Sequence, residues 1–117
     1  MLFRSGFEVK QAEAELRNAL SSDDLAANAI DAVSHLKTGE AQQALLNLAL
    51  SGMRPAALRA KAADAAIRHI QAHGKMIPQT QVAALTALVG TEANADVRTK
   101  LVVLKGILAF EIGRAHV

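Results

Sequence analysis

The chain has no cysteine, no tryptophan and no tyrosine, and aromatic residues make up only 3% of its 117 residues. Without cysteine there is no disulfide framework, no thiolate nucleophile and no cysteine-based zinc site. Without Trp or Tyr there is no ring of the kind that stacks on a base, and Phe7 and Phe110 lie near the ends. The net formal charge is only +2, too small to announce a nucleic-acid binder. The amino terminus lacks a continuous apolar run of the signal-peptide kind. The most apolar stretch, Leu101 to Ile112, contains Lys105 and is too short to span a bilayer. The compartment stays unknown from the sequence, with a cytoplasmic location slightly favoured.

What is present is alanine and leucine. Hydrophobic residues account for 51% of the chain. Both residues are strong helix formers, and a core rich in them is packed by closely approaching helices. At 117 residues the chain is at most one domain. Charge is unevenly spread. From Glu8 to Glu40 the seven acids Glu8, Glu13, Glu15, Asp23, Asp24, Asp31 and Glu40 face three bases, a net of −4. From Ala41 to Phe110 there are eight bases and three acids, a net of +5. Such an asymmetry can steer a partner, but ordinary solvated helix faces are the plainer reading.

Periodicity predicts six helices. Phe7–Leu20 sets Val9, Ala12, Leu16 and Leu20 on one side. Ser21 to Asp24 ends it and opens Asp23–Leu36, with Ser21 and Asp24 spaced as a capping box. Lys37-Thr38-Gly39 closes the second segment, the glycine being expected to supply a positive φ. Glu40–Leu50 is apolar on most sides, as a helix between layers would be. Pro55–Gly74 is the longest pattern, with Pro55 expected at the first helical position. Lys61, Asp64, Arg68, Gln71 and Lys75 form its wet face, and Leu58, Ala62, Ala63, Ala66, Ile67 and Ile70 cover the rest. Pro78–Val89 again begins with proline, and Ala95–Phe110 follows Asn94, a candidate N-cap. Apolar residues surround that last helix, a poor surface unless something packs on it.

The segments are related. The stretch from Ala44 aligns without a gap on the stretch from Ala83, 39 residues later. Leu46 then matches Leu85, Leu58 matches Val97, Arg59 matches Arg98 and Lys61 matches Lys100. An earlier, shorter copy places Leu25 33 residues before Leu58, with Ala26 where the arginine stands in the others. Asp96-Val97-Arg98 and the run from Leu58 to Ala66 resemble the second helix of HEAT repeats, whose pattern is Asp-x-Val-Arg-x-x-Ala-Ala-x-Ala-Leu. The resemblance covers nearly all of residues 7–110. It implies an all-α fold, an α-solenoid of about three stacked antiparallel hairpins in a right-handed superhelix. The repeats would be about 7–37, 39–75 and 78–110, within a domain of 6–111. It implies further that Arg59, Asp96 and Arg98 form a structural ladder between repeats.

The two ends carry a resemblance of a different kind. MLFRS (Met1–Ser5) and EIGRAHV (Glu111–Val117) look like translations of common short-read sequencing adapters, GTG CTC TTC CGA TCT and GAG ATC GGA AGA GCA CAC GTC. Residues 1–5 and 112–117 are accordingly expected to be non-native, and the rest to be a fragment of a longer, bacterial-type protein. A piece of about three repeats with an open end is expected to be marginally stable or to associate.

The chemical inventory is thin. His69 and His73 stand four apart on one helix, a metal-compatible spacing, but no third ligand accompanies them and Arg68 and Lys75 would repel a cation. Helix-end histidines satisfying terminal carbonyls are the plainer reading. No His-Glu pair of the kind used by HEAT-like metal hydroxylases is present. Serines sit at helix ends without a nucleophile elbow, and the glycines form neither a phosphate loop nor a dinucleotide fingerprint. No enzyme, cofactor, metal or small-molecule ligand is expected. The expected function is a protein–protein interaction scaffold, its partner another protein or an adjoining domain. Lys61, Arg68 and Gln71 are the candidate contact residues. The alternatives are a nucleic-acid-binding solenoid using a basic helix row of Arg54, Arg59, Lys61, Arg68 and Lys75, and a spacer within a larger enzyme.

Overall fold

A computed structural model describes residues 6–115 of the protein, with side-chain environments over 11–109. Residues 1–5, and His116 and Val117 of the other adapter-like end, lie outside the described residues. The helices are α1 (Gly6–Ala19), α2 (Asp23–Val33), α3 (Gly39–Leu50), α4 (Ala56–His73), α5 (Gln79–Val89) and α6 (Ala95–Ala115). No strand occurs among the described residues, so the fold is an all-α, six-helix bundle.

Helix ends depart from the sequence expectations in instructive ways. Ser22, not Ser21, is the N-cap of α2, and no side chain caps it; Asp23 and Asp24 in the first turn meet the positive end of the helix dipole instead. The capping box is thus not formed. α2 stops at Val33, three residues early. His35 N–H and Leu36 N–H bond to carbonyls three back, tightening the tail, and Ser34 Oγ donates to Asp31 O at 2.7 Å. Gly39 does not provide a positive φ. Thr38 is the N-cap of α3, its hydroxyl accepting from Ala41 N–H at 3.2 Å, and Gly39 is the first helical residue. The one positive-φ residue described is Gly74, at φ 84°, where α4 ends. Pro55 and Pro78 precede the first helical residue of α4 and α5 by one position. Asn94 caps α6 as expected, its Oδ1 accepting from Val97 N–H at 3.0 Å.

α4 is the hub. It contacts α2, α3 and α6, whereas α5 contacts only α3 and α6 extensively. Its alanines explain this. Ala62, Ala63, Ala65 and Ala66 are all fully buried, and a methyl side chain lets neighbouring backbones approach from several sides without loss of rotamer freedom. Bulk is supplied by the neighbours: Ile30 on α2, Leu45 and Leu46 on α3, Leu101, Leu104 and Leu108 on α6, each essentially inaccessible. The molecule is flat, 45 × 39 × 20 Å. Its short dimension is about two helix diameters.

Leu46 sits on α3 with no exposure, and Met53 in the α3–α4 turn is almost wholly exposed. Leu46→Ala is expected to cost about 2–5 kcal/mol in urea unfolding, and Met53→Ala less than about 0.5 kcal/mol. Equal effects would show that Leu46 is not a core residue.

Candidate functional site

Polar side chains gather at the helix ends and along one edge of α2, α4 and α6. At the end holding the α5–α6 turn, Arg59 of α4 is 4% exposed and makes a two-pronged ion pair with Glu92 of that turn. Its Nε donates to Ala49 O at 3.0 Å. Glu92 also accepts from Asn94 N–H at 3.1 Å, and its carbonyl accepts from Arg98. The Arg59 hydrogen bond holds the Glu92 carboxyl below its ordinary value, against the effect of burial and with help from the Asn94 N–H. Arg54, in the α3–α4 turn, similarly grips the α1–α2 turn, donating to Asp23 Oδ1 and to Leu20 O, each at 2.8 Å.

At the opposite end lies a neutral network. Gln42 of α3 is fully buried. Its Nε2 donates to Gly74 O at 2.9 Å and lies 3.0 Å from His69 Nδ1, while its Oε1 accepts from Met76 N–H at 2.7 Å. Because Gln42 Nε2 can only donate, His69 Nδ1 must accept. His69 is then the Nε2–H tautomer, and that proton goes to Leu36 O at 2.6 Å. Burial holds the His69 pKa below the ordinary 6.5; the Leu36 bond opposes this and the neighbouring His73 reinforces it. His69 does satisfy a helix-end carbonyl, but on the segment after α2 rather than on its own helix. His73 packs edge-on against it, ring centroids 4.7 Å apart. No group of three His, Asp or Glu residues able to hold a metal occurs among the described residues.

Along the edge, Lys61 Nζ reaches Asp31 Oδ2 at 3.3 Å, joining α4 to α2, and Lys100 Nζ reaches Asp64 at 3.1 Å, joining α6 to α4. Hydrogen bonding to Asp64 raises the Lys100 pKa above its ordinary value despite burial. Both rungs are partly exposed, so each contributes only about 0–1 kcal/mol. Of the three candidate contact residues, Lys61 belongs to this edge with its head half exposed, while Arg68 and Gln71 lie exposed further along α4. Of the expected ladder residues, Arg59 pairs with Glu92; Asp96 is exposed and lies 3.9 Å from Lys100; Arg98 is exposed and touches only the Glu92 carbonyl. Glu92 and Gln42 were not singled out in the sequence. Glu92 could have been, since Asp64, Glu92 and Asp96 are the only acids available to Arg59 after Glu40 and before Glu111. Nothing local in the sequence marks Gln42.

A cleft of about 230 Å³ opens between α1 and α3, lined in part by Arg17, Ser21, Asn47, Ser51 and Arg54. Arg54 is already neutralised there by Asp23, 2.7 Å away. No helix among the described residues is long and apolar enough to cross a membrane. Comparison with protein families, curated proteins and solved structures returns no match.

Glu92→Gln leaves a buried guanidinium without its counter-charge and is expected to destabilise the fold by about 3–5 kcal/mol. In the unsubstituted protein, Glu92's contribution is complete above pH 4.5 and is lost as pH falls through its lower folded value; a variant matching the parent in urea at pH 7 would overturn the pairing.

For His69, stability is expected to be complete above pH 6.5 and to decline as pH falls towards the lower folded value, because only the unfolded chain takes up the proton. The slope should vanish in His69→Gln. Nitrogen NMR should show Nδ1 unprotonated at neutral pH; a proton on Nδ1 would contradict the network.

Proposed function

We propose that the chain is a HEAT-like helical-repeat module that acts as a protein–protein interaction scaffold and carries no catalysis of its own. One observation supports the reading above the rest. The acid–lysine rung recurs, Asp31 with Lys61 and Asp64 with Lys100. The two acids are 33 positions apart and the two lysines 39, the same offsets that relate the sequence copies. A link repeated at the repeat spacing is what stacked hairpins would place between successive second helices, here α2, α4 and α6. These helices touch in that order.

On this reading the working surface is the polar edge of α4. Arg68 and Gln71 project from the middle of the row, and Lys61 shares its charge with Asp31. The partner is another protein or an adjoining domain, held by a preformed surface that loses little freedom on binding. The nucleic-acid alternative loses support from the same geometry. Of the five bases in its proposed row, Arg54, Arg59 and Lys61 are engaged by Asp23, Glu92 and Asp31. Arg68 and Lys75 are left to meet phosphate.

The combined variant Lys61→Ala, Arg68→Ala, Gln71→Ala is expected to keep its helical circular dichroism and thermal midpoint. Proteins retained from a cell extract by the parent chain should be lost by the variant. Retention of the same proteins by both would sink the assigned surface, and a collapse in helicity would show the three residues to be structural. Duplex DNA binding that falls steeply with salt would favour the nucleic-acid reading instead.

A further inference from the structure

We infer that the outer face of α6 docks the α2 end of a second copy of this chain, head to tail, an inference that rests on the repeat reading above. The repeat supplies its own control. Ala60, Ala63, Ala66 and Ile70 of α4 are 7%, 0%, 0% and 0% exposed. Their equivalents 39 residues on, Thr99, Val102, Lys105 and Ala109, are all exposed, Val102 to 50%. The other side of α6 behaves normally, with Val97, Leu101, Leu104 and Leu108 buried against the bundle. α4 has both α2 and α6 packed on it; among the described residues α6 packs extensively on α4 and α5 alone. The positions buried on α4 and bare on α6 are therefore those that a following second helix covers.

The opposite end shows the mirror deficit. Leu25 of α2 is 55% exposed, whereas its equivalent Val97 on α6 is fully buried. Leu58, its equivalent on α4, packs against the core. Among the described residues no second helix precedes Leu25 and none follows Val102. Large exposed apolar side chains thus lie at both ends of the α2–α4–α6 row.

Charge selects the pairing of ends. α2 carries Asp23, Asp24 and Asp31 and no base; Asp23 and Asp31 are answered by Arg54 and Lys61, which leaves Asp24 to meet a partner. On α6 Lys100 is answered by Asp64, which leaves Arg98 and Lys105 against the single described acid Asp96. An α6-on-α6 contact would bring like charges together, and so would α2 on α2. Basic α6 against acidic α2 is attractive, and it continues the row by the step that already relates α4 to α6. Such a contact is heterologous and does not close, so chains add one after another.

The test uses the full 117-residue chain and two exposed single substitutions, Leu25→Lys and Val102→Lys, each blocking one end. Sedimentation velocity of the parent should give a mass that climbs with concentration and falls with added salt. Each variant alone should remain monomeric. An equimolar mixture should form a dimer and stop there, since one open head meets one open tail. Overturning results are a parent monomeric at every concentration, a mixture that stays monomeric, or self-association retained by Leu25→Lys or Val102→Lys alone, the signs of α6-on-α6 and α2-on-α2 contacts. Parent self-association should be unchanged in the double variant Arg68→Ala, Gln71→Ala, which keeps the Lys61–Asp31 pair, so failure here and failure of the partner surface can be told apart.

Discussion

The close approach of α4 to three neighbours is the constraint on which the bundle depends. Four alanines on one helix are inaccessible at once, which is possible only if backbones come near enough for methyl groups to fill the gap. That geometry is unforgiving. A larger side chain at Ala62 or Ala66 would have to displace a neighbouring helix, and overpacking of this kind costs about 1–3 kcal/mol or more. It also explains why so few aromatic residues suffice. Leucine and isoleucine from α2, α3 and α6 supply the volume, and α4 supplies the room.

Two polar clips hold α4 at its ends, and they are of opposite character. Arg59 with Glu92 is charged and buried, fixing the α5–α6 turn against the start of α4. His69 with Gln42 is neutral and buried, fixing the α4–α5 turn and the segment after α2 against its finish. Each partner answers the other's hydrogen-bonding needs, so the clips specify one arrangement of turns where apolar packing alone would tolerate several. Their weaknesses differ accordingly, one sensitive to a carboxyl proton and the other to an imidazole proton.

Much of this was legible in the sequence, and the reasons for the remainder are physical. All six helices follow from apolar spacing and from Pro55, Pro78, Asn94 and Gly74 as punctuation. The burial of Ala62 to Ala66 follows from a helix with too few large residues to form a surface stripe. Apolar spacing overruns the end of α2 because Leu36 keeps the period after the backbone has tightened and left the helix. Gly39 is ambiguous in the sequence because a glycine before a helix looks the same as a glycine after one, and only the Thr38 hydroxyl decides between them. Along the edge, periodicity places Lys61 on the wet face, but its rung with Asp31 joins residues 30 apart and no local pattern announces it. Gln42 was invisible for the same reason, since its partners come from α4 and the turn beyond.

Every side-chain hydrogen bond among the described residues spans at most 38 positions, the longest being Gln81 to Gln43. Such links join one helix or turn to the next few, and none among the described residues ties the first helices to the last. They imply a direction. A chain leaving the ribosome can complete the Lys61–Asp31 rung before Lys100 has been synthesised, and Arg59 waits for Glu92 only 33 residues further on. The bundle can therefore assemble in the order in which it is made, with each new helix settling on a surface that is already formed.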